Sequence, residues 1–238
     1  MIMALPKLQS QVYELEQPST GEKIKYRPFL VKEQKTLMMA SESGDDKQIR
    51  DSLAGIISSC TFEKVDPFII PMFDVEFLFL RIRGKSVGEK IELNLLCPDD
   101  GETRVKTTLN LEDVGVNQKV GHTNEISVTD KIKIIMKYPS LNDMVGMSGD
   151  ENAGFNEVID MIKRCIDEVH DGETVHNKID MSESDLDEFI ESLTTEQFQG
   201  LADFFDTMPK VSHSIDVTNP KTKKKGEVVI EGIQSFFN

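Results

Sequence analysis

The chain has 238 residues, 42 acidic against 27 basic side chains, and a formal net charge of −15. That length can bury a sizeable core, as one large domain or two small ones, and a uniformly acidic surface repels phosphate backbones, which argues against nucleic-acid binding. Three cysteines far apart in sequence, Cys60, Cys97 and Cys165, make no disulfide framework and fit a reducing compartment.

The opening stretch "MIMALPKLQS" has no charged region followed by a long apolar one, so no signal peptide is expected. Residues 11–31, "QVYELEQPSTGEKIKYRPFLV", alternate on both sides of Pro18-Ser19-Thr20-Gly21 and predict a hairpin. Two helices follow, over 31–43 with Leu37, Met38 and Met39, and over 46–60 with Ile49, Leu53, Ile56 and Ile57 at helical spacing. Gly44-Asp45 breaks them into a helical hairpin. In "VDPFIIPMFDVEFLFLRIRG" prolines and charged residues interrupt the apolar run, so it does not read as a membrane span. Its second half, 72–84, has the Phe, Val and Ile of a strand, but Phe73, Phe77 and Leu80 fit a buried helix, which is the favoured reading.

Residues 88–114 predict a second hairpin around Pro98–Gly101. Residues 125–141 predict a short strand pair with Ile132, Ile134 and Met136 inward and Lys131, Lys133 and Lys137 outward. From 139 the pattern becomes helical, and over 152–170 Phe155, Val158, Ile159, Ile162 and Ile166 share one face. Ser182 with Asp185, and Thr194 with Gln197, have the spacing of capping boxes, and Pro209 closes the last helix. The segments 115–124 and 171–181 read as polar connectors. A final hairpin and a short aromatic tail end the chain.

One turn pattern occurs three times. "QPSTG" (17–21) returns as "CPDDG" (97–101) and, one residue looser, as "NPKTKKKG" (219–226). A zinc-ribbon knuckle is a hairpin turn of the form Cys-Pro-X-Cys-Gly, with the glycine taking a positive φ. Here Cys97 is retained, Asp100 stands where the second thiol would be, and Asn219 and Thr222 hold the sulfur positions of the other turn. Two knuckles with one thiol between them fall short of the four nitrogen or sulfur ligands of a zinc site, so neither metal nor cofactor is expected. The same pattern is also a common turn signal in its own right.

The stretches "LPKLQSQVYELEQPSTGEKIKYRPFLVKEQKTLMMA", "LFLRIRGKSVGEKIELNLLCPDDG" and "NPKTKKKGEVVIEGIQSFF" carry a resemblance to the baseplate hub proteins of T-even-like bacteriophages, most specifically in "RPFLVKEQK". Relatives carry the knuckle cysteines more fully than this chain does. The resemblance implies a hub subunit or hub assembly factor of the contractile-tail baseplate. Its partners would be other baseplate hub proteins, and it would reside in the host cytoplasm during assembly and then in the virion if it stays. It implies no catalytic residue.

A direct search for chemistry agrees in expecting no enzyme. "GKSVGEK" (84–90) lacks the upstream glycine of a phosphate loop, since position 79 is Phe79. There is no Gly-X-Ser-X-Gly, and the four histidines form no His-Glu-X-X-His. Cys60 reads as a buried small hydrophobe rather than a nucleophile. The competing reading is a metal-binding enzyme or regulator using the knuckle hairpins or the segment from His170 to His176, although an acidic solvated loop describes that segment better. What remains is surface. Phe68, Ile69, Ile70 and Met72, in a stretch where prolines disrupt regular structure, and Phe236 and Phe237 at the end of the chain are the partner-contact candidates. No small-molecule substrate is expected.

The fold class is α+β, with antiparallel hairpins resembling degenerate zinc-ribbon knuckles combined with a helical region. The expected organisation is one discontinuous domain: 1–138 of hairpins and helices, a helical insertion over 139–209, and a C-terminal hairpin over 210–238 packing with the first part. The three similar hairpins are expected to share one sheet or neighbouring sheets.

Overall fold

A computed structural model describes residues 9–146 and 154–236. The elements run β1 (Tyr13–Glu16), β2 (Lys23–Tyr26), α1 (Val31–Ser43), α2 (Asp46–Cys60), α3 (Met72–Val87), β3 (Lys90–Leu96), β4 (Arg104–Asn110), β5 (Gly115–Asn117), β6 (Glu125–Ser127) and β7 (Ile132–Met136). They continue with α4 (Phe155–Cys165), β8 (Ile166–Asp171), β9 (Thr174–Asn177), α5 (Glu183–Glu191), α6 (Thr195–Thr207), β10 (Lys210–Thr218) and β11 (Lys225–Glu231). The architecture is α+β. The chain divides into two compact units, Met1–Val116 with Val211–Asn238, and Asn117–Lys210.

The first unit is organised around α3. Phe73, Val75, Leu78, Phe79, Leu80 and Ile82 of this helix are all buried. A helix that is apolar on every side belongs in a core, which is why its residues also look like a strand in sequence. Its charged residues are tied to neighbouring backbone and side chains. Arg81 donates to the carbonyls of Leu111 and Val114 and lies over the Phe77 ring, while Lys85 pairs with Glu89 and Glu112. The β1–β2 hairpin pairs Tyr13 with Tyr26, and β3–β4 pairs Lys90 with Asn110 through Leu96 with Arg104. β10 pairs with β11 antiparallel in a three-stranded sheet of order β11-β10-β5. The three turn-bearing hairpins thus lie in three separate hydrogen-bonded sheets, which excludes the shared sheet and not the alternative of neighbouring ones.

Glu33 secures the start of α1. Its carboxylate accepts from the Leu30 N–H at 2.8 Å, from Arg27 Nη2 at 2.8 Å and from Ser59 Oγ at 3.1 Å. Gly44, at φ 64°, ends the helix, and Asp45 caps α2 by accepting from the Lys47 and Gln48 N–H groups. α1 therefore holds its place through its two ends, and only Glu33 and Ala40 of its residues are buried.

The second unit has a four-stranded antiparallel sheet, β6-β7-β8-β9, with α4, α5 and α6. Ile134, Met136, Ile162, Ile166, Leu186, Ile190, Leu201 and Phe204 form its core. Of the predicted inward face, Ile134 and Met136 are buried and Ile132 half-buried, and both predicted capping boxes are present. One prediction is corrected: helical periodicity over 152–170 suggests a single helix, but α4 stops at Cys165. Ile166–Asp171 pairs with β7 and, across the two-residue Gly172-Glu173 turn, with β9. Glycine at the first central position is a signal of a two-residue hairpin turn, and Gly172 adopts φ 61°. The segment read as a polar connector is thus half of a hairpin. The strap before β6 is also anchored: His122 Nδ1 lies 3.0 Å from Thr207 Oγ1 and its Nε2 3.1 Å from the Tyr138 hydroxyl.

Burial alone would raise the Glu33 carboxyl, but the bonds from Arg27 and Leu30 outweigh it and hold it at about 2, against an ordinary value of 4.5. A carboxylate lowered in the folded state contributes stability that is complete above pH 4.5 and is lost as pH falls toward 2. Glu33→Gln is expected to cost about 2 kcal/mol at pH 7, less than full linkage because water reaches the rim of the pair. Urea melts across pH 2–7 should show a shallower acid slope in the variant; equal slopes would remove Glu33 from the account.

Candidate functional site: the paired turns and the contact surfaces

The recurring sequence pattern is a recurring backbone. In each copy the residue before proline accepts the N–H of the residue four positions on: Gly21 to Gln17 at 2.8 Å, Gly101 to Cys97 at 3.0 Å, Lys223 to Asn219 at 2.9 Å. The N–H of that first residue then closes the hairpin on the carbonyl of Glu22, Thr103 or Lys224. The residue four positions on is left-handed in all three, with φ 71° at Gly21, 65° at Gly101 and 63° at Lys223. The third turn is therefore not looser than the others; a lysine occupies the left-handed position. Gly226 has another role, because a Cβ there would lie 2.6 Å from Pro98 Cγ. Its missing side chain lets the 97–101 turn approach β11 closely.

Two of the turns face each other, and an amide joins them. Asn219, 1% exposed, donates from Nδ2 to Asp99 Oδ1 at 2.9 Å and to Asp100 Oδ2 at 2.8 Å. Its Oδ1 accepts from the Lys221 N–H at 2.8 Å and the Thr222 N–H at 3.3 Å. Both donors and both lone pairs of the amide are used, and reversing it would set its oxygen against two carboxylates. Thr222 adds its hydroxyl to Asp99. Asp100 also accepts from the Thr103 hydroxyl and N–H and from the Glu102 N–H, and the Thr103 bonds hold its carboxyl far below the usual range. The Thr222 hydroxyl and the Asn219 amide lower Asp99 as well.

The sequence-predicted knuckle positions thus converge: Asp100 and Asn219 bond directly, Thr222 reaches the adjacent Asp99, and Cys97 is fully buried beside them, its thiol raised by burial and then by Asp100 and Asp99. The point at which a zinc ion would cross-link two knuckles is taken by an NH2 group, a donor facing acceptors. Such a donor set does not fit a cation. The first turn has its own anchor. Asp74 of α3, fully buried, accepts from Gln17 Nε2 at 2.6 Å, from the Ser19 N–H at 3.0 Å and from the Ser19 hydroxyl.

The His170–His176 segment does not converge. Val169 pairs with His176 and His170 with Val175, so the two histidines point to opposite faces of the sheet. His170 Nε2 instead lies 2.6 Å from Glu168 Oε2. Among the described residues no group of three His, Cys, Asp or Glu side chains could hold a metal ion. Cys60 and Cys165 are fully buried, and burial pushes their thiols to about 11 and about 12. No helix of the described residues is long and apolar enough to cross a membrane.

Of the contact candidates, Ile69 is 70% exposed, and Phe68, Ile70 and Met72 are half-buried around it. Upstream, Phe62 and Glu63 both adopt φ 57° and Phe62 is exposed; two successive non-glycine residues in the left-handed region are backbone strain of a kind that collects at functional sites. Phe236 is buried, and Phe237 lies outside the described residues. Sequence reasoning missed the outer face of α1, where Val31, Met38 and Met39 are exposed. The available signal is the contiguous Leu37-Met38-Met39 run, which one buried helix face cannot accommodate.

A family model described as T4 bacteriophage base plate protein matches residues 10–238 of the chain. No curated protein and no solved structure matches it.

Asn219→Ala is expected to destabilise the protein by about 2 kcal/mol, because two turns lose their joint and two turn N–H groups lose their acceptor. Asn219→Asp keeps the shape but sets a third carboxylate against Asp99 and Asp100. Its thermal midpoint should fall below the wild-type value at pH 7 and recover as pH drops through the carboxylate range. A variant as stable as wild type at pH 7 would show that the joint carries no weight.

Proposed function

The chain belongs to the T4 bacteriophage base plate protein family, and from that premise we propose that it acts, without catalysis, in building the central hub of the tail baseplate, as a hub subunit or a hub assembly factor. The match over nearly the whole chain carries this reading. Its partners are other baseplate hub proteins, met in the host cytoplasm during assembly. The contact surface is the loop from Phe62 to Met72, with exposed Phe62 and Ile69 above half-buried Phe68, Ile70 and Met72. A strained loop presenting apolar side chains on an acidic, charge-rich protein suits recognition of a folded partner. Phe236 is buried, so the proposed contact surface does not include it.

Deleting the gene in the phage tests the role: completed tails should be lost, and wild-type tail yield would overturn the reading. Quantitative mass spectrometry then separates its two forms. A fixed copy number beside hub proteins in purified virions identifies a subunit, and presence in assembly intermediates alone identifies a factor that leaves. Ile69→Asp should reduce tail yield several-fold with an unchanged melting temperature; unchanged yield would remove the loop from the contact surface.

A further inference from the structure

We infer that the outer face of α1, together with the adjoining flank of α3, is a docking groove for an amphipathic helix whose apolar stripe is bordered by Asp and Glu. The inference rests on the reading of the chain as one that works through protein contacts, and it names the chemistry of one such partner.

α1 is turned inside out. Val31 is 81% exposed and Met38 56%, with Met39 and Leu30 also exposed, whereas the buried residues are the paired Glu33 and Ala40. The helix does not need this apolar face for its own position, because the Glu33 network holds one end and the Gly44-Asp45 junction the other. Leaving large apolar side chains in water is unfavourable in proportion to the area left uncovered, so a covering partner gains that term. The face also has shape. A groove beside α1 is lined by Phe29, Leu37, Met38, Phe79, Arg83 and Val87, and a second, on the other side of Met38, by Val31, Lys35 and Met39. Val31 and Met38 are seven residues apart within α1, so they form a row along the helix axis that receives another helix lengthwise. Two adjacent methionines let such a groove adapt to its occupant.

Charge selects the occupant. The cations bordering the two grooves are Lys35 and Arg83, and the anion is Glu42. Two cations against one anion leave the two grooves one positive charge in excess, and on a chain of net charge −15 that local excess favours an acidic helix over the cationic helices that the rest of the surface attracts. α1 is about 20 Å long at 1.5 Å per residue, which sets the occupant at roughly 13 residues.

The test uses the full chain and two fluorescein-labelled model helices of roughly 15 residues, both with leucines at helical spacing, one with glutamate borders and one with lysine borders. Fluorescence anisotropy should show saturable binding of the glutamate helix, about tenfold tighter than the lysine helix, a preference opposite to that of the net charge. Met38→Asp and Val87→Asp, both at exposed positions, should each weaken binding about tenfold at an unchanged melting temperature, and Lys35→Glu should reduce the preference. No saturable binding, or preference for the lysine helix, overturns the proposal. So does a concentration-dependent dimer abolished by Met38→Asp in sedimentation velocity, which would assign the face to a second copy of the chain. Such failures leave the tail-assembly phenotype of a deletion untouched, so the two readings stand or fall separately.

Discussion

The two Asn219 amide bonds, to Asp99 and Asp100, close the chain on itself across 120 and 119 residues. The length-dependent part of closing so long a loop is about 4 kcal/mol, more than one neutral hydrogen bond returns. The closure therefore depends on everything that acts with it: Pro98 against Gly226, the Thr222 hydroxyl on Asp99, and the burial of Cys97. Folding of Asn117–Lys210 as its own unit helps as well, since its strands and helices shorten the flexible path between the two turns. In a zinc ribbon a metal would supply this closure. Here an amide with every valence used does it, and the geometry of the turns is retained.

Similar bonds fasten three other polar side chains of the first unit. Asp74 closes the first turn onto α3, Glu33 fastens the start of α1 to Arg27 and Ser59, and Arg81 ties α3 to the backbone at Leu111 and Val114. Each charge sits in a site where backbone and side-chain partners satisfy it, the condition under which burying a polar group is tolerated. The consequence for function is a rigid frame. The apolar residues left outside it, on α1 and in the loop from Phe62 to Met72, are presented by elements whose ends are fixed. A surface held in place before a partner arrives loses little entropy on binding.

Much of the secondary structure was legible in the chain. Alternation and turn residues mark β1–β2 and β3–β4, helical spacing marks α2, and the Ser182 and Thr194 boxes mark the starts of α5 and α6, because these signals are local. The failures have physical causes. The helix read over 152–170 stops at Cys165 because Ile166–Asp171 gains hydrogen bonds from two neighbouring strands, a preference that periodicity does not contain. The histidines at 170 and 176 look like a cluster until strand alternation sends them to opposite faces.

The sequence by itself determined that three turns share a proline at their second position, since proline fixes one torsion wherever it stands. Sequence composition also determined that those turns bring one thiol between them. Only the tertiary structure decided which turns meet, that Lys223 rather than Gly226 takes the left-handed torsion of the third, and that the Asn219 amide stands where two knuckles would share an ion. It also decided that the methionines of α1 face outward. Local backbone preferences act over a few residues and can be read one residue at a time. The choice of partner across more than a hundred residues, and of which apolar face is covered, depends on the whole packed chain and has no local signature.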